Sequence, residues 1–181
     1  QEPAAAITVA GSSTIAVPAG TDILLADAAN NFGALTLTGT GGTTFRDLEL
    51  RNISAAATAP TLNAIRNVAF LFDNAGIVLP QLTLSGTLDV SAGGGAITQS
   101  GPLNITGNAT FFGAGYRVNL VDPANQFLAN VSLITTGLQN ASLLDSTALV
   151  LGTTDVNGSL SLASGGSITQ STGTTLTTGS G

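Results

Sequence analysis

The side chains that could carry out chemistry in this sequence are ten carboxylates and four arginines, since the chain has no His, Lys or Cys. Two carboxylates that converge to about 5 to 9.5 Å would support glycoside hydrolysis. The aspartates instead occur singly, several of them at equivalent positions of sequence repeats: Asp22, Asp27, Asp73, Asp89, Asp122, Asp145 and Asp155. Aspartates in such positions commonly accept hydrogen bonds from backbone N–H groups in turns. We therefore predict turn-capping carboxylates and a chain that is not an enzyme.

The missing residue types exclude several other functions. Without Cys or His there is no thiol nucleophile, no Ser/His/Asp relay and no zinc site of the usual kind. Without Lys there is no P-loop lysine, and four arginines do not make a basic face for nucleic acid. A calcium-dependent lyase would need an arginine base beside aspartates, and Arg117 near Asp122 is the one tempting pair in the repeat portion. We expect no metal, no cofactor and no nucleic-acid partner.

Three of the four arginines and two of the ten carboxylates lie between residues 44 and 72. This segment contains Arg46, Asp47, Glu49, Arg51 and Arg66, in a chain of which only 8% is charged. Its last part, 59–72, also has the character of a short helix. A solvated face with weak ion pairs is the simpler interpretation of these charges. The alternative is a surface binding patch formed by the five residues, within an irregular part of an otherwise regular domain.

Six Asn-x-Ser/Thr sequons provide candidate glycosylation sites. Asparagines that stack or cap turns along a repeat protein are the alternative interpretation, because stacked amides hydrogen-bond one another. The sequons begin at Asn52, Asn104, Asn108, Asn130, Asn140 and Asn157.

Short strands are predicted along the whole chain. Pairs of apolar residues separated by one residue recur between Gly-rich turns, and this period of two places both members on one buried face. The pairs are Leu35/Leu37, Leu48/Leu50, Leu82/Leu84, Leu88/Val90, Leu103/Ile105, Val118/Leu120, Val131/Leu133, Leu149/Leu151 and Leu160/Leu162. No apolar run is long enough to span a membrane as a helix.

Internal repeats select a solenoid from among the all-β folds. Residues 73–94 align with 145–166 at an offset of 72, and after a one-residue indel Ile97-Thr98-Gln99-Ser100 recurs at 168–171. A second echo, Asp-x-Ala-Asn-x-Phe, joins 27–32 to 122–127. Strands return about every 20 residues, which is the length of one turn of a parallel β-helix. We predict one all-β domain, 1–181, that forms a parallel β-helix of about seven to nine coils.

The segment from Ser85-Gly86-Thr87-Leu88-Asp89-Val90 through Ile97-Thr98-Gln99-Ser100 to Asn104-Ile105-Thr106-Gly107 resembles the repeats of filamentous haemagglutinin-type exoproteins. The two Asp-x-Ala-Asn-x-Phe segments are similar to the same repeats, and the resemblance is clearest over 73–181. These are bacterial adhesins exported by two-partner secretion. The resemblance implies a right-handed parallel β-helix, a cell-surface or secreted location, and adhesive or structural work.

Three functions are compatible with this sequence. The first is a non-enzymatic extracellular stalk or adhesive segment of a large bacterial surface or secreted protein, whose partner is a host-surface protein or glycan. The second is a subunit of an extracellular filament in which identical copies stack end to end, because unpaired strand edges favour such association. The third and least favoured is a carbohydrate-active β-helix enzyme.

Overall fold

The computed structural model describes residues 5–179 and shows an all-β solenoid of about eight coils. Each complete coil contributes up to three strands. The first three coils contain β1 (Thr8–Val9), β2 (Ser13–Val17) and β3 (Ile23–Leu25), then β4 (Asn31–Phe32), β5 (Leu35–Gly39) and β6 (Asp47–Asn52), then β7 (Asn67–Phe72) alone. The fourth, fifth and sixth coils contain β8 (Ile77–Leu79), β9 (Leu82–Leu84) and β10 (Leu88–Ala92), then β11 (Ile97–Gln99), β12 (Leu103–Ile105) and β13 (Ala109–Gly113), then β14 (Val118–Leu120), β15 (Gln126–Phe127) and β16 (Asn130–Thr135). The seventh coil contains β17 (Ala141–Asp145) and β18 (Leu149–Val156), and the eighth contains β19 (Leu160–Ser164), β20 (Ile168–Gln170) and β21 (Leu176–Thr178).

All pairings between these strands are parallel, as the repeats predict. The first sheet runs β3-β6-β7-β10-β13-β16-β18-β20, with β21 also on β18, and so extends from the first coil to the eighth. The second sheet is β8-β11-β14-β17-β19 and the third is β9-β12-β15. Two further pairs, β1-β4 and β2-β5, continue the solenoid in the first two coils.

The register of the first sheet gives the length of a coil. Leu48, Val68, Leu88, Ala109 and Val131 are directly paired from strand to strand. The predicted coil length of roughly 20 residues is therefore confirmed. Small differences in length between these coils are absorbed at the corners. All nine predicted apolar pairs lie in strands.

The core is a continuous stack of inward side chains. Phe70, Leu79, Leu88, Phe111 and Leu133 are fully buried. Apolar area removed from water contributes roughly 25 cal/mol per Å² to stability. Because nearly every strand buries one face, a chain with a mean hydropathy of +0.41 keeps most of its apolar residues out of water.

The segment 59–72 does not form the helix that its composition suggests. Residues 67–72 form β7, which pairs with β6 over six consecutive positions. Val68, Phe70 and Phe72 alternate with outward residues, and this period of two places them in the core. Apart from a 3-10 turn at Thr40–Gly42, the described residues contain no helix. None of their elements is a helix of the length and apolarity that a membrane crossing requires.

The repeat at an offset of 72 does not place equivalent residues above one another. Ile97-Thr98-Gln99 forms β11 in the second sheet, whereas the identical Ile168-Thr169-Gln170 forms β20 in the first. With coils of about 20 to 22 residues, this offset amounts to three coils and a fraction. The same sequence therefore lies on different faces of the solenoid. Both faces accommodate it because each requires the same alternation of inward and outward residues.

Glycines at the corners let adjacent coils approach closely. A Cβ atom added at Gly94 would clash with the backbone carbonyl carbon and oxygen of Asn74, one coil earlier. We expect Gly94→Ala to lower the free energy of unfolding by about 1–3 kcal/mol, because backbone atoms must move to make room. Chemical denaturation measures the change. Gly11→Ala is the control, since a Cβ there meets no atom within 4 Å; equal effects of the two substitutions would contradict the steric argument.

Candidate functional site

The five residues predicted to form a charged patch are divided among three places. Arg46, Asp47 and Arg66 gather at the corner that precedes β6 and β7, where they meet Asp22 of the first coil. Glu49 lies midway along β6 and is partly exposed. Arg51 lies near the other end of that strand, where it pairs with Asp73. We call Asp22, Arg46, Asp47 and Arg66 the charged corner.

Each arginine of the charged corner binds a carboxylate on the preceding coil. Arg46 donates from Nε and Nη2 to the two oxygens of Asp22, at 2.8 and 2.6 Å. Arg66 donates in the same two-pronged manner to Asp47, which also accepts a bond from the backbone N–H of Asn67. The guanidinium hydrogen bonds lower the pKa of Asp22 and of Asp47 below the ordinary aspartate value. Both carboxylates are therefore charged at neutral pH, and the four charges of the corner cancel.

Arg51 forms a separate bridge between coils. Its Nε and Nη2 donate to Asp73 at 2.9 and 3.2 Å, and the bond with this carboxylate raises the pKa of Arg51. Exposed ion pairs of this kind contribute little to stability, about 0–1 kcal/mol each. Their main effect here is to fix the directions of the arginine side chains.

A cleft opens beside the charged corner because the third coil is incomplete. Residues 53–66 contain no strand, and Ile65 forms only an isolated bridge to Leu84. The second coil is also longer than the coils of the central repeats, since Ile23 pairs with Leu48, and its extra residues form the loop around Thr40–Gly42. The cleft between this loop and β9 has a volume of about 540 Å³. We call it the third-coil cleft.

The third-coil cleft is lined by both polar and apolar residues. Ile65 and Leu84 are among them but are almost fully buried, so the exposed apolar lining includes Ala19 and Ala64. The two exposed arginines of the charged corner also line the cleft. The remaining polar side chains come from the second-coil loop and from the fourth and fifth coils, and they are Thr43, Thr44, Thr83, Ser85, Asn104 and Thr106.

The predicted capping role of the aspartates is confirmed at three positions. Asp27 and Asp122 each accept a bond from the backbone N–H two residues later, and Asp145 accepts one from Thr147. Asp22 and Asp73 instead pair with arginines, and Asp89 and Asp155 are exposed on strands. Within residues 5–179 no three His, Cys, Asp or Glu residues are grouped as metal ligands would be.

The sequon asparagines differ in how strongly the fold uses them. Asn52 is buried, accepts bonds from Phe32 and Ser54, and donates to the carbonyl of Phe32, so a glycan on it would require this corner to open. Four others also take part in hydrogen bonds through their side chains: Asn108, Asn130, Asn140 and Asn157. Asn104, in the third-coil cleft, is the sequon asparagine whose side chain bonds to no other group in the described part of the chain.

The two Asp-x-Ala-Asn-x-Phe segments build the same corner on different faces. Asn30 accepts a bond from the N–H of Ile7 and donates to the carbonyl of Leu25. Asn125 accepts from the N–H of Leu103 and donates to the carbonyl of Leu120. The first corner follows β3 of the first sheet and the second follows β14 of the second sheet.

At each of these corners a side chain of the following coil hydrogen-bonds to the backbone of the motif's phenylalanine. The residue that provides this side chain differs between the two corners. Asn52 accepts from the N–H of Phe32 and donates to its carbonyl, both at 3.0 Å. Asp145 takes the corresponding position and accepts from the N–H of Phe127 at 3.4 Å. Its second oxygen is buried and has no hydrogen-bond partner. A buried carboxylate oxygen without a donor reduces stability.

We therefore expect Asp145→Asn to stabilise the protein by about 1–2 kcal/mol, because an amide at this position provides the donor that Asn52 supplies to Phe32. Thermal and chemical denaturation measure the change. Asp155→Asn is the control, since Asp155 is exposed and its substitution should alter stability by less than about 0.5 kcal/mol. A loss of stability in Asp145→Asn would show that the corner requires the carboxylate.

A family model of repeats of unknown function (DUF5649) matches residues 1–39, 65–134 and 138–181, which is most of the chain. The chain belongs to the DUF5649 repeats. No curated protein and no solved structure matches it. The match leaves out 40–64 and 135–137, and the first of these stretches contains the second-coil loop and most of the incomplete third coil. Five residues that line the third-coil cleft lie in 40–64, whereas those from the fourth and fifth coils lie within the DUF5649 match.

Sequence reasoning identified the arginines of this region but not the cleft. Asp22 and Asp73, which hold Arg46 and Arg51, lie 24 and 22 residues from them, about one coil away. These two ion pairs were predictable from the sequence, because each arginine has an aspartate about one coil length away along the chain. Thr83 and Thr106 carried no signal, because Thr83 is an outward residue of an ordinary strand and Thr106 directly follows another.

Proposed function

We propose that this chain is a non-enzymatic shaft segment of a large bacterial surface or secreted protein of the filamentous haemagglutinin type. The observation that carries the proposal is the first sheet, which continues through parallel pairing from the first coil to the eighth. Its backbone hydrogen bonds run along the axis of the solenoid, and the core stacks beneath them. At about 4.8 Å per coil, eight coils give a rod on the order of 40 Å long.

The chemistry of the chain supports the same role. Its outward residues are mostly Thr, Ser, Asn and Gly, and it has no Cys to be oxidised outside the cell. The resemblance of its repeats to those of exported adhesins supports an extracellular or cell-surface location. A regular shaft keeps the surface at its far end at a fixed distance from its point of attachment. This role is mechanical and requires no catalytic group.

Antibodies raised against the isolated chain test the location on cells of the source organism. We expect intact cells, or their culture medium, to be labelled, and proteinase added to intact cells to remove the surface signal. A cytoplasmic protein of the same cells, probed in parallel, controls for lysis. Labelling that appears only after the cells are permeabilised would contradict the proposal.

A second candidate is end-to-end assembly into a filament, in which the strand edges of one copy pair with those of the next. Ile168 and Leu176 continue inward-facing rows of the core, yet 45% and 48% of their surfaces are exposed. Leu149, which pairs with Ile168, is fully buried. A second copy stacked on this coil would cover the side chains of both Ile168 and Leu176.

Electron microscopy and light scattering distinguish the two roles. A filament subunit should form concentration-dependent fibres, and Leu176→Asp should abolish them because it places a charge on the stacking surface. Thr177→Asp, an adjacent outward position, is the matched control and should leave fibres intact. A chain that stays monomeric at all concentrations tested would contradict the filament role and would leave the shaft role standing.

A further inference from the structure

We propose that the third-coil cleft binds an uncharged oligosaccharide. The inference rests on the proposed extracellular or cell-surface location for its biological setting, and it names a class of ligand that such a shaft would meet there. Its physical basis is the combination of a polar cleft, cancelled charges and side chains whose hydrogen-bonding groups are not used by the fold.

The size and shape of the cleft suit a ligand of a few sugar rings. Its volume of about 540 Å³ lies within the range of roughly 300 to 1,000 Å³ that is typical of small-molecule sites. The exposed Ala19 and Ala64 can contact the C–H face of a ring, while the hydroxyl and amide side chains of the cleft bind its hydroxyls. A mixture of this kind fits a saccharide better than a purely apolar ligand.

Five of the six uncharged polar side chains of the cleft are free to bind a ligand, and the sixth, Thr43, donates to the carbonyl of Thr40. Thr44, Thr83, Ser85, Asn104 and Thr106 make no side-chain hydrogen bond to other described residues, in contrast to the buried corner asparagines. Thr83 and Asn104 are paired positions on adjacent strands, so their side chains are one strand spacing apart, about 4.8 Å. Ser85 and Thr106 follow these two strands and extend the same two rows.

The arginines contribute donors rather than net charge. Arg46 and Arg66 use Nε and Nη2 for their aspartates, and Nη1 of each makes no hydrogen bond within the described residues. The aspartates fix each planar guanidinium, so that little conformational entropy is lost when a hydroxyl accepts a bond from Nη1. Because Asp22 and Asp47 cancel the two positive charges, and the chain carries a net charge of −6, an anionic ligand gains little here.

The experiment is a titration of the full chain, produced in a bacterial cytoplasm and labelled with ¹⁵N, with maltotriose, cellotriose and xylotriose. We expect at least one of them to cause saturable shifts of the Asn104 side-chain amide and of the Arg46 and Arg66 Nε signals, with a Kd of about 1 mM. The affinity should be insensitive to salt, because no net charge is neutralised. Trigalacturonate is the acidic comparison and should bind more weakly.

Matched variants locate the binding. Thr83→Val together with Thr106→Val keeps the shape of the strands but removes two hydroxyls, and it should weaken binding about tenfold. Thr98→Val together with Thr110→Val, outward positions on the second and first sheets, should change it less than about twofold. Thermal denaturation verifies that both pairs leave the fold intact.

Three results would overturn the inference: no saturable shift with any of the three neutral sugars up to about 20 mM, tighter and salt-dependent binding of trigalacturonate, or equal effects of the two variant pairs. These failures are distinct from failure of the shaft proposal. A protein that labels intact cells but binds no sugar loses only the cleft assignment, whereas sugar binding by a protein confined to the cytoplasm contradicts only the extracellular role.

Discussion

Asn125→Ala is expected to destabilise the protein by about 3–5 kcal/mol, although the residue is a polar side chain at a corner. Asn125 is fully buried and joins three coils. Its oxygen accepts bonds from the backbone N–H of Leu103 and from Gln99, and its nitrogen donates to the carbonyls of Leu120 and Leu144. Alanine leaves these buried backbone groups without partners, and each such group costs about 1–3 kcal/mol.

Denaturation in urea, monitored by circular dichroism, measures the loss. Asn119→Ala is the matched control, because Asn119 lies on the outer face of β14 a few residues earlier and is partly exposed. We expect the control to change the free energy of unfolding by less than about 0.5 kcal/mol. A similar small effect for Asn125→Ala would mean that water replaces the amide in this corner.

The corner asparagine illustrates how far sequence reasoning reaches. The echo of Asp-x-Ala-Asn-x-Phe at 27–32 and 122–127 identified two equivalent local structures, and the structure gives Asn30 and Asn125 the same bonds. The sequence alone did not show that these asparagines are buried. Their partners, Ile7 and Leu103, lie 23 and 22 residues earlier, and that distance becomes a contact only when the length of each coil is known.

The fold class was accessible from the sequence because its signal is local and repeated. Alternation of apolar and polar residues predicts a strand from about five residues, and a return after roughly 20 residues predicts a stack. The face on which a segment lies depends on the summed lengths of all preceding coils. A small variation in length at each corner accumulates, and this is why the two copies of Ile-Thr-Gln-Ser came to lie in different sheets.

The candidate site was predictable only in part, for a related reason. Arg46 and Arg66 are conspicuous in a chain with four basic residues, and they do lie together at the charged corner. The cleft beside them results from a strand that the third coil lacks. Composition does not reveal such a gap: residues 59–72 suggested a short helix, whereas the structure has an irregular connection followed by β7.

Phe111→Ala should reduce the free energy of unfolding by about 3–5 kcal/mol, because it leaves a cavity in the middle of the core. Phe111 is fully buried in β13, in the fifth coil of the solenoid, and its ring meets that of Phe127 edge to face at a centroid distance of 6.1 Å. Aromatic pairs in this geometry add about 0.5–1.5 kcal/mol beyond the burial of area. The parallel strands on both sides hold the backbone in place and limit how far the cavity can collapse.

Phe112→Ala, at the next residue of the same strand, is the control that separates burial from residue type. Phe112 points outward and is partly exposed beside Leu71 and Ser91. Its loss should cost less than about 1.5 kcal/mol, since part of the ring already contacts water. Equal losses from the two substitutions would mean that both faces of β13 are buried in the folded protein, as they would be if another chain or segment covered the outer face of the first sheet.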